Sequence, residues 1–168
     1  MRTLGIDPGL ATLGWGVVET YGDAATLLGC GVICTAAHTP LPARLLQIHV
    51  SLSAVLGHYQ PDAAAIEELF FGKNSTTAMA VGQARGVALL VLAQAGLAVA
   101  EYKPTVVKQA VAGDGGADKR QMQSMVRMTL RLAAAPTPDD AADAVAVALC
   151  HGYTAPFVRQ VALGRADR

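Results

Sequence analysis

The chain has 168 residues, and its 13 Lys+Arg and 13 Asp+Glu leave a formal charge of zero. That length is one domain, able to bury about 68–70% of its unfolded surface without disulfides or a structural metal. Hydrophobic residues make up 52% and charged residues 15% of the chain, where an average protein has about 25% charged, so disorder is excluded. The uncharged run Gly86 to Ala100 is shorter than the roughly 18–20 residues of a membrane span and is broken by Gln94 and Gly96. Met1 leads directly into a strand-like Arg2–Ile6 without a signal-peptide pattern, so a cytoplasmic location is expected. Cys30, Cys34 and Cys150 lack C-x-x-C spacing and stand at no ligand spacing from His38, His49, His58 or His151. Buried thiols are expected there, with no zinc or redox centre.

In chain order, Arg2–Asp7, Thr12–Glu19 and Thr26–Thr35 read as three strands punctuated by Pro8-Gly9 and Tyr21-Gly22-Asp23. The short connections imply an antiparallel meander. From Leu41 the period becomes helical through Leu45, Ile48, Leu52, Val55 and Leu56, until Pro61-Asp62. Asp62–Glu67 is then a buried strand reached through a helix, hence parallel to the first. Asn74–Ala95 reads as a long helix stopped by Gly96, Leu97–Tyr102 as a strand, and Pro104–Ala112 as a short helix ended by Gly113-Asp114-Gly115-Gly116. Asp118–Leu132 is amphipathic, with Met122, Met125, Val126 and Thr129 on one stripe. A last helix opens at Thr137-Pro138-Asp139-Asp140 and runs past Leu149, leaving little periodicity from Pro156. The expected fold is α/β, one mixed five-stranded sheet with helices on its faces, forming a single domain over 1–155 with a flexible tail over 156–168.

In a chain this poor in charge, carboxylates at strand ends are informative. Asp7 ends one apolar strand and Glu67-Glu68 another; if these strands are parallel neighbours, the acids meet at the carboxyl edge of the sheet, where ligands of open α/β folds bind. Only one of Glu67 and Glu68 can face Asp7, because strand residues alternate. Asp140 and Asp143, three apart, share a helix face. Each has a plainer role available: Asp7 opening a turn in D-P-G, Glu67 or Glu68 in solvent, and Asp139 and Asp140 at a helix start capped by Thr137. Asp143, a turn inside an alanine-rich stretch, is not explained by capping. Four clustered carboxylates without His or Cys suit hard divalent cations such as Mg²⁺, and two such ions about 3.5–4 Å apart suit phosphodiester cleavage. Without metal the acids repel, so one or more pKa values should rise and metal should stabilise the fold.

These residues resemble those of the RuvC-type Holliday-junction resolvases, crossover junction endodeoxyribonucleases of the ribonuclease H-like superfamily. The likeness runs through G-I-D-P-G (Gly5–Gly9) and the following T-L-G-W-G, A-I-E-E-L-F-F-G-K-N (Ala65–Asn74), G-Q-A-R-G (Gly82–Gly86), V-K-Q (Val107–Gln109) and D-D-A-A-D-A (Asp139–Ala144). It implies that Asp7, Glu67, Asp140 and Asp143 are the catalytic, metal-binding carboxylates, selecting Glu67 over Glu68 and Asp140 over Asp139. It implies two Mg²⁺ per subunit, with Mn²⁺ able to substitute, and hydrolysis leaving 5′-phosphates. Lys108 and Lys119 match lysines near the scissile phosphate, the alternative for each being a solvated helix flank; Arg120, beside Lys119, is taken as a further DNA contact. Phe70 matches an aromatic that contacts bases at the crossover, the alternative being core packing with Leu69 and Phe71. Gly82 and Gly86, one turn apart, allow close helix approach, within the monomer or across a dimer. The resemblance further implies a homodimer acting on a four-way DNA junction in recombination and repair, beside the branch-migration proteins RuvA and RuvB. The alternatives are a YqgF-like RNA-processing nuclease, which should prefer RNA, and a non-catalytic junction-binding module, which should bind without nicking.

The neutral total conceals an uneven distribution. Residues 1–72 hold two bases and six acids, net −4; residues 73–131 hold eight bases and three acids, net +5; the remainder carries −1. Two Mg²⁺ on the four carboxylates would leave a basic surface, so DNA binding should be salt-sensitive and helped by divalent metal.

Overall fold

A computed structural model of the chain describes residues 1–68 and 75–166, with backbone alone for 75–77 and 156–166. Its elements are β1 (Arg2–Asp7), β2 (Thr12–Tyr21), β3 (Ala24–Cys34), α1 (Leu41–Tyr59), β4 (Ala63–Glu67), α2 (Ser75–Gln94), β5 (Val99–Tyr102), α3 (Pro104–Ala112), α4 (Lys119–Thr129) and α5 (Asp139–Ala166). The strands form one sheet in the order β3-β2-β1-β4-β5. β1, β2 and β3 pair antiparallel as a meander, while β4 is parallel to β1 and β5 parallel to β4. The mixed α/β sheet expected from the strand spacing is therefore present. α5 continues to Ala166, taking in most of the stretch read as a tail.

Period-two alternation divides the sheet residues between two cores. Leu4, Ile6, Leu13, Val17, Ala64 and Ile66 pack with Ile48, Leu52, Ala88 and Leu92 of α1 and α2. Val18 and Ala65 face the other way, against Val107, Val111, Met122, Val126 and the apolar run Val145–Cys150 of α3, α4 and α5. α5 is buried almost continuously from Ala141 to Cys150, which explains why its stretch is apolar on all sides where a surface helix would show a stripe. It lies on the sheet with little intervening space. A β-carbon at Gly5 of β1 would collide with the Ala144 carbonyl, and one at Gly14 of β2 with the Asp140 carbonyl.

The helix ends are set by identifiable residues. Asp118 caps α4 through a reciprocal box: its Oδ1 accepts from the Gln121 backbone N–H at 2.9 Å, while Gln121 Oε1 accepts from the Asp118 N–H at 2.7 Å. Gly113 closes α3 with φ +73°, a backbone conformation that glycine adopts without steric cost. At the start of α5 the expected Thr137 cap is not made; the Ala141 and Ala142 N–H groups donate to the Pro138 carbonyl, so the helix begins one residue later than a threonine cap requires. The thiols are also not uniformly buried. Cys150 is in the core and Cys30 half-buried, but Cys34 is exposed because it ends the outermost strand β3.

Candidate active site

The parallel register of β1 and β4 places Ile6 beside Ile66, so Asp7 and Glu67, each one residue on, close adjacent strands at the same sheet edge. Both share the parity of Gly5 and Ala65 and so point toward α5, whereas Glu68 falls on the opposite parity. Glu67 lines a cavity of about 210 Å³ with Pro104, Val107, Lys108, Lys119, Met122, Asp143, Ala146 and Val147. Four elements thus meet there: the end of β4, the first turns of α3 and α4, and the second turn of α5. Asp140 sits one turn before Asp143 with its carbonyl on Gly14, over β2 beside Asp7.

The electrostatics agree with this convergence. Burial first, and then the nearby charges of Glu67, Asp143 and Asp140, together push the Asp7 carboxyl up to about 7 against a lowering by Lys119. Glu67 is raised by burial and by Asp143, with Lys108 opposing. Asp143 is raised by burial, partly offset by Lys119. Four acids on three elements therefore act on one another at a half-buried site, with two lysines as counter-charges. Lys119 Nζ lies 2.9 Å from Asp139 Oδ2 and 3.6 Å from Asp143 Oδ2.

All four ligand candidates offer hard oxygen donors, which suits Mg²⁺. Among the described residues no three Asp, Glu, His or Cys side chains are gathered closely enough to enclose an ion. Burial first, and mutual repulsion second, hold Asp7, Glu67 and Asp143 above the usual carboxylate range, and a divalent cation among them would offset both.

The family model described as crossover junction endodeoxyribonuclease RuvC matches residues 3–151. The chain belongs to the RuvC family. A RuvC of Chloroflexus aggregans is 65% identical over 160 residues, covering 95% of this chain and 98% of that protein. A RuvC of Thermomicrobium roseum is 55% identical over 90% of this chain and 92% of its own length. Among solved structures, T. thermophilus RuvC in complex with Holliday junction substrate superposes with a TM-score of 0.89 at 42% identity, over 92% of this chain and 94% of that one. The yeast mitochondrial Holliday junction resolvase Ydc2 shares the fold, with a TM-score of 0.67 at 12% identity, over 90% of this chain and 77% of that one.

Of the residues that the RuvC resemblance singles out, Glu67, Asp143, Lys108 and Lys119 line one cavity, and Asp7 and Asp140 are coupled to them by charge. Arg120 is exposed beside the cavity on α4 and is not part of its lining. Phe70 lies outside the described residues. A β-carbon at Gly82 or Gly86 would meet nothing among the described residues, so their small size serves no contact there within the monomer. Two features had no sequence reading. Asp139 is engaged by Lys119 and by Gln123, whose Nε2 donates to Asp139 Oδ1 at 2.8 Å. The Tyr102 hydroxyl, on the strand position beside Glu67, is 2.9 Å from both His151 Nδ1 and Thr154 Oγ1 of α5. The Asp118-x-x-Gln121 capping box places Lys119 at the first position of α4 and was a readable signal for that end of the site.

Proposed function

We propose that this chain resolves four-way (Holliday) DNA junctions by metal-dependent hydrolysis of phosphodiester bonds. The observation that carries the reading is the convergence of Asp7, Glu67, Asp140 and Asp143 at one sheet edge in a chain of the RuvC family. Asp7, Glu67, Asp140 and Asp143 would hold Mg²⁺, two ions per subunit, which when bound polarise the scissile phosphate and make water nucleophilic. The chain's own residues set the geometry. β1 and β4 hold Asp7 and Glu67 side by side, and the Gly5 and Gly14 contacts fix Asp140 and Asp143 above them. Lys108 and Lys119 place positive charge where negative charge grows during cleavage. Arg120 extends that charge to a flanking phosphate, and Phe70 stacks on an unpaired base at the crossover.

A junction is nearly two-fold symmetric, so a homodimer with opposed sites can nick two strands of like polarity. The exposed faces of α1 and α2 support a second copy seated there. They carry Leu46, Val50, Met79 and Leu90, each more than half exposed, and Gly82 and Gly86 leave room for close approach. RuvA and RuvB belong to the same reading as the proteins that present the junction. Among the described residues no helix is long and apolar enough to cross a membrane; a DNA substrate supports the cytoplasm as the place where the chain works.

The test is cleavage of a mobile four-way DNA junction, linear duplex and an RNA–DNA hybrid, with Mg²⁺ and with chelator. Metal-dependent nicking confined to the junction is expected. Cleavage that survives the chelator, a preference for the RNA–DNA hybrid, or binding without nicking would each overturn the proposal.

A further inference from the structure

Asp139 stands next to Asp140 but is not one of the four carboxylates assigned to catalysis, and both of its oxygens are occupied. Oδ1 accepts from Gln123 Nε2 at 2.8 Å and Oδ2 lies 2.9 Å from Lys119 Nζ. Lys119 and Gln123 are four apart on α4, one turn of a helix, so a single carboxylate at the start of α5 is gripped by two side chains on the same face of α4. The longer contact of Lys119, 3.6 Å, goes to Asp143 in the cavity. The ammonium therefore spans one acid that lines the cavity and one that does not.

We infer that Asp139, oriented by Gln123, is a positioning residue that tethers Lys119 over the cavity. This rests on the reading of the cavity as the hydrolytic site. If Asp143 turns to a cation, Lys119 loses one of its two anionic partners. A lysine held by Asp143 alone would then be released to solvent, because a long flexible side chain regains rotamer freedom when unpaired. With Asp139 as a second anchor the ammonium stays within reach of the phosphate and keeps donors free, since it carries three and uses at most two here. The pair is half exposed, at 53% for Lys119 and 58% for Asp139. Such a contact biases a population by about two- to fivefold and does not lock it. A modest bias suits a group that must shift toward substrate charge during the reaction.

The experiment is acetylation of the DNA-free, full-length protein by an amine-specific reagent, following the Lys119 peptide by mass spectrometry with Lys103, outside the cavity lining, as internal reference. Wild-type Lys119 should react slowly with or without Mg²⁺. In Asp139→Asn it should react about two- to fivefold faster, and faster again with Mg²⁺. Gln123→Ala should move the same way by less, and serves if Asp139→Asn misfolds. In junction cleavage, Asp139→Asn should lower kcat by a similar factor with KM unchanged, and should have no effect in a Lys119→Met background. Equal Lys119 reactivity in wild type and both variants would overturn the tether and leave Asp139 as a helix-start residue. So would a kcat loss that persists in Lys119→Met. The labelling pattern appearing in a protein that cleaves no junction would uphold the tether and remove the hydrolytic reading.

Discussion

Gly5 of β1 lies against the backbone carbonyl of Ala144 in α5, with no room for a β-carbon between them. The obstructing atom is backbone, so the strain cannot be relieved by a rotamer change. Gly5→Ala should therefore destabilise by about 2–3 kcal/mol, the upper part of the range for overpacked cores, and lower Tm by about 4–12 °C. A calorimetric Tm within 2 °C of wild type would contradict the close seating of α5 on the sheet.

Asp7→Asn and Asp143→Asn should each abolish junction nicking while leaving junction affinity within about threefold, because they remove charge at the reacting centre and no part of a DNA-facing basic surface. Binding measured by gel shift beside a cleavage assay separates the two. Loss of affinity in a properly folded variant would argue against a catalytic role.

The raised Asp7 carboxyl makes stability depend on pH. Its folded value is about 7 and its ordinary value 3.8, so between these limits the folded chain holds a proton that the unfolded chain has released. Stability of the metal-free protein accordingly falls as pH rises from about 4 to 7 and stays lower above that. Asp7→Asn, free of this penalty, should melt about 4 °C or more above wild type at pH 8 in chelator and converge with it below about pH 4. Adding Mg²⁺ should raise the wild-type Tm, by an amount corresponding to about 2.7 kcal/mol at 100 times Kd. The rise should be larger at pH 8 than at pH 5.5, where a proton must first leave.

His151 titrates in the opposite sense. Burial lowers its pKa below the ordinary 6.5, so the unfolded chain takes up protons first as pH falls. The stability that neutral His151 contributes is complete above about 6.5 and is lost as pH drops toward the folded value. Between pH 7 and 5 the wild-type Tm should therefore fall relative to that of His151→Gln measured in the same buffers, whatever the net slope that Asp7 imposes on both. A Tm difference between the two proteins that does not change with pH would contradict this role of His151.

Arg120, next to the cavity-lining Lys119, and Arg127, seven residues further along α4, are both exposed, and neither is ion-paired among the described residues. Arg120→Gln with Arg127→Gln should reduce the slope of log K against log [salt] for junction binding by about 0.9 for each phosphate no longer neutralised by an arginine. The cleavage rate of the bound junction should be preserved. An unaltered slope would remove α4 from the DNA path.

Most strand and helix positions are legible in the sequence because period-two and 3.6-residue patterns are strong in this chain and its stops are Gly and Pro. The choice between Glu67 and Glu68 is not settled by residue type, since both end an apolar strand. The register supplies what is missing: Asp7 follows Ile6, Ile6 pairs with Ile66, and only Glu67 has the parity that faces α5. Asp143 is legible as an anomaly, a charge within alanines, and the buried seating of α5 accounts for both the alanines and the charge. Asp139 reads in the sequence only as part of a helix start. Its partners Lys119 and Gln123 lie on another element, and local sequence carries no signal of a contact between helices. The same holds for Tyr102 with His151, and for Gly5 and Gly14, whose meaning depends on a helix more than a hundred residues later.

The central place of β1 in the sheet has one more consequence. Its two neighbours come from opposite sides of α1, and α5, which covers its inner face, is last in the chain. A nascent or truncated polypeptide that stops before α5 has neither Asp140 nor Asp143, and lacks the helix that covers the sheet face toward which Asp7 and Glu67 point. If the four carboxylates act together as proposed, cleavage of DNA begins only once the chain through Asp143 has been made and seated on the sheet, and a fragment cut in the α4–α5 connection should not nick a junction.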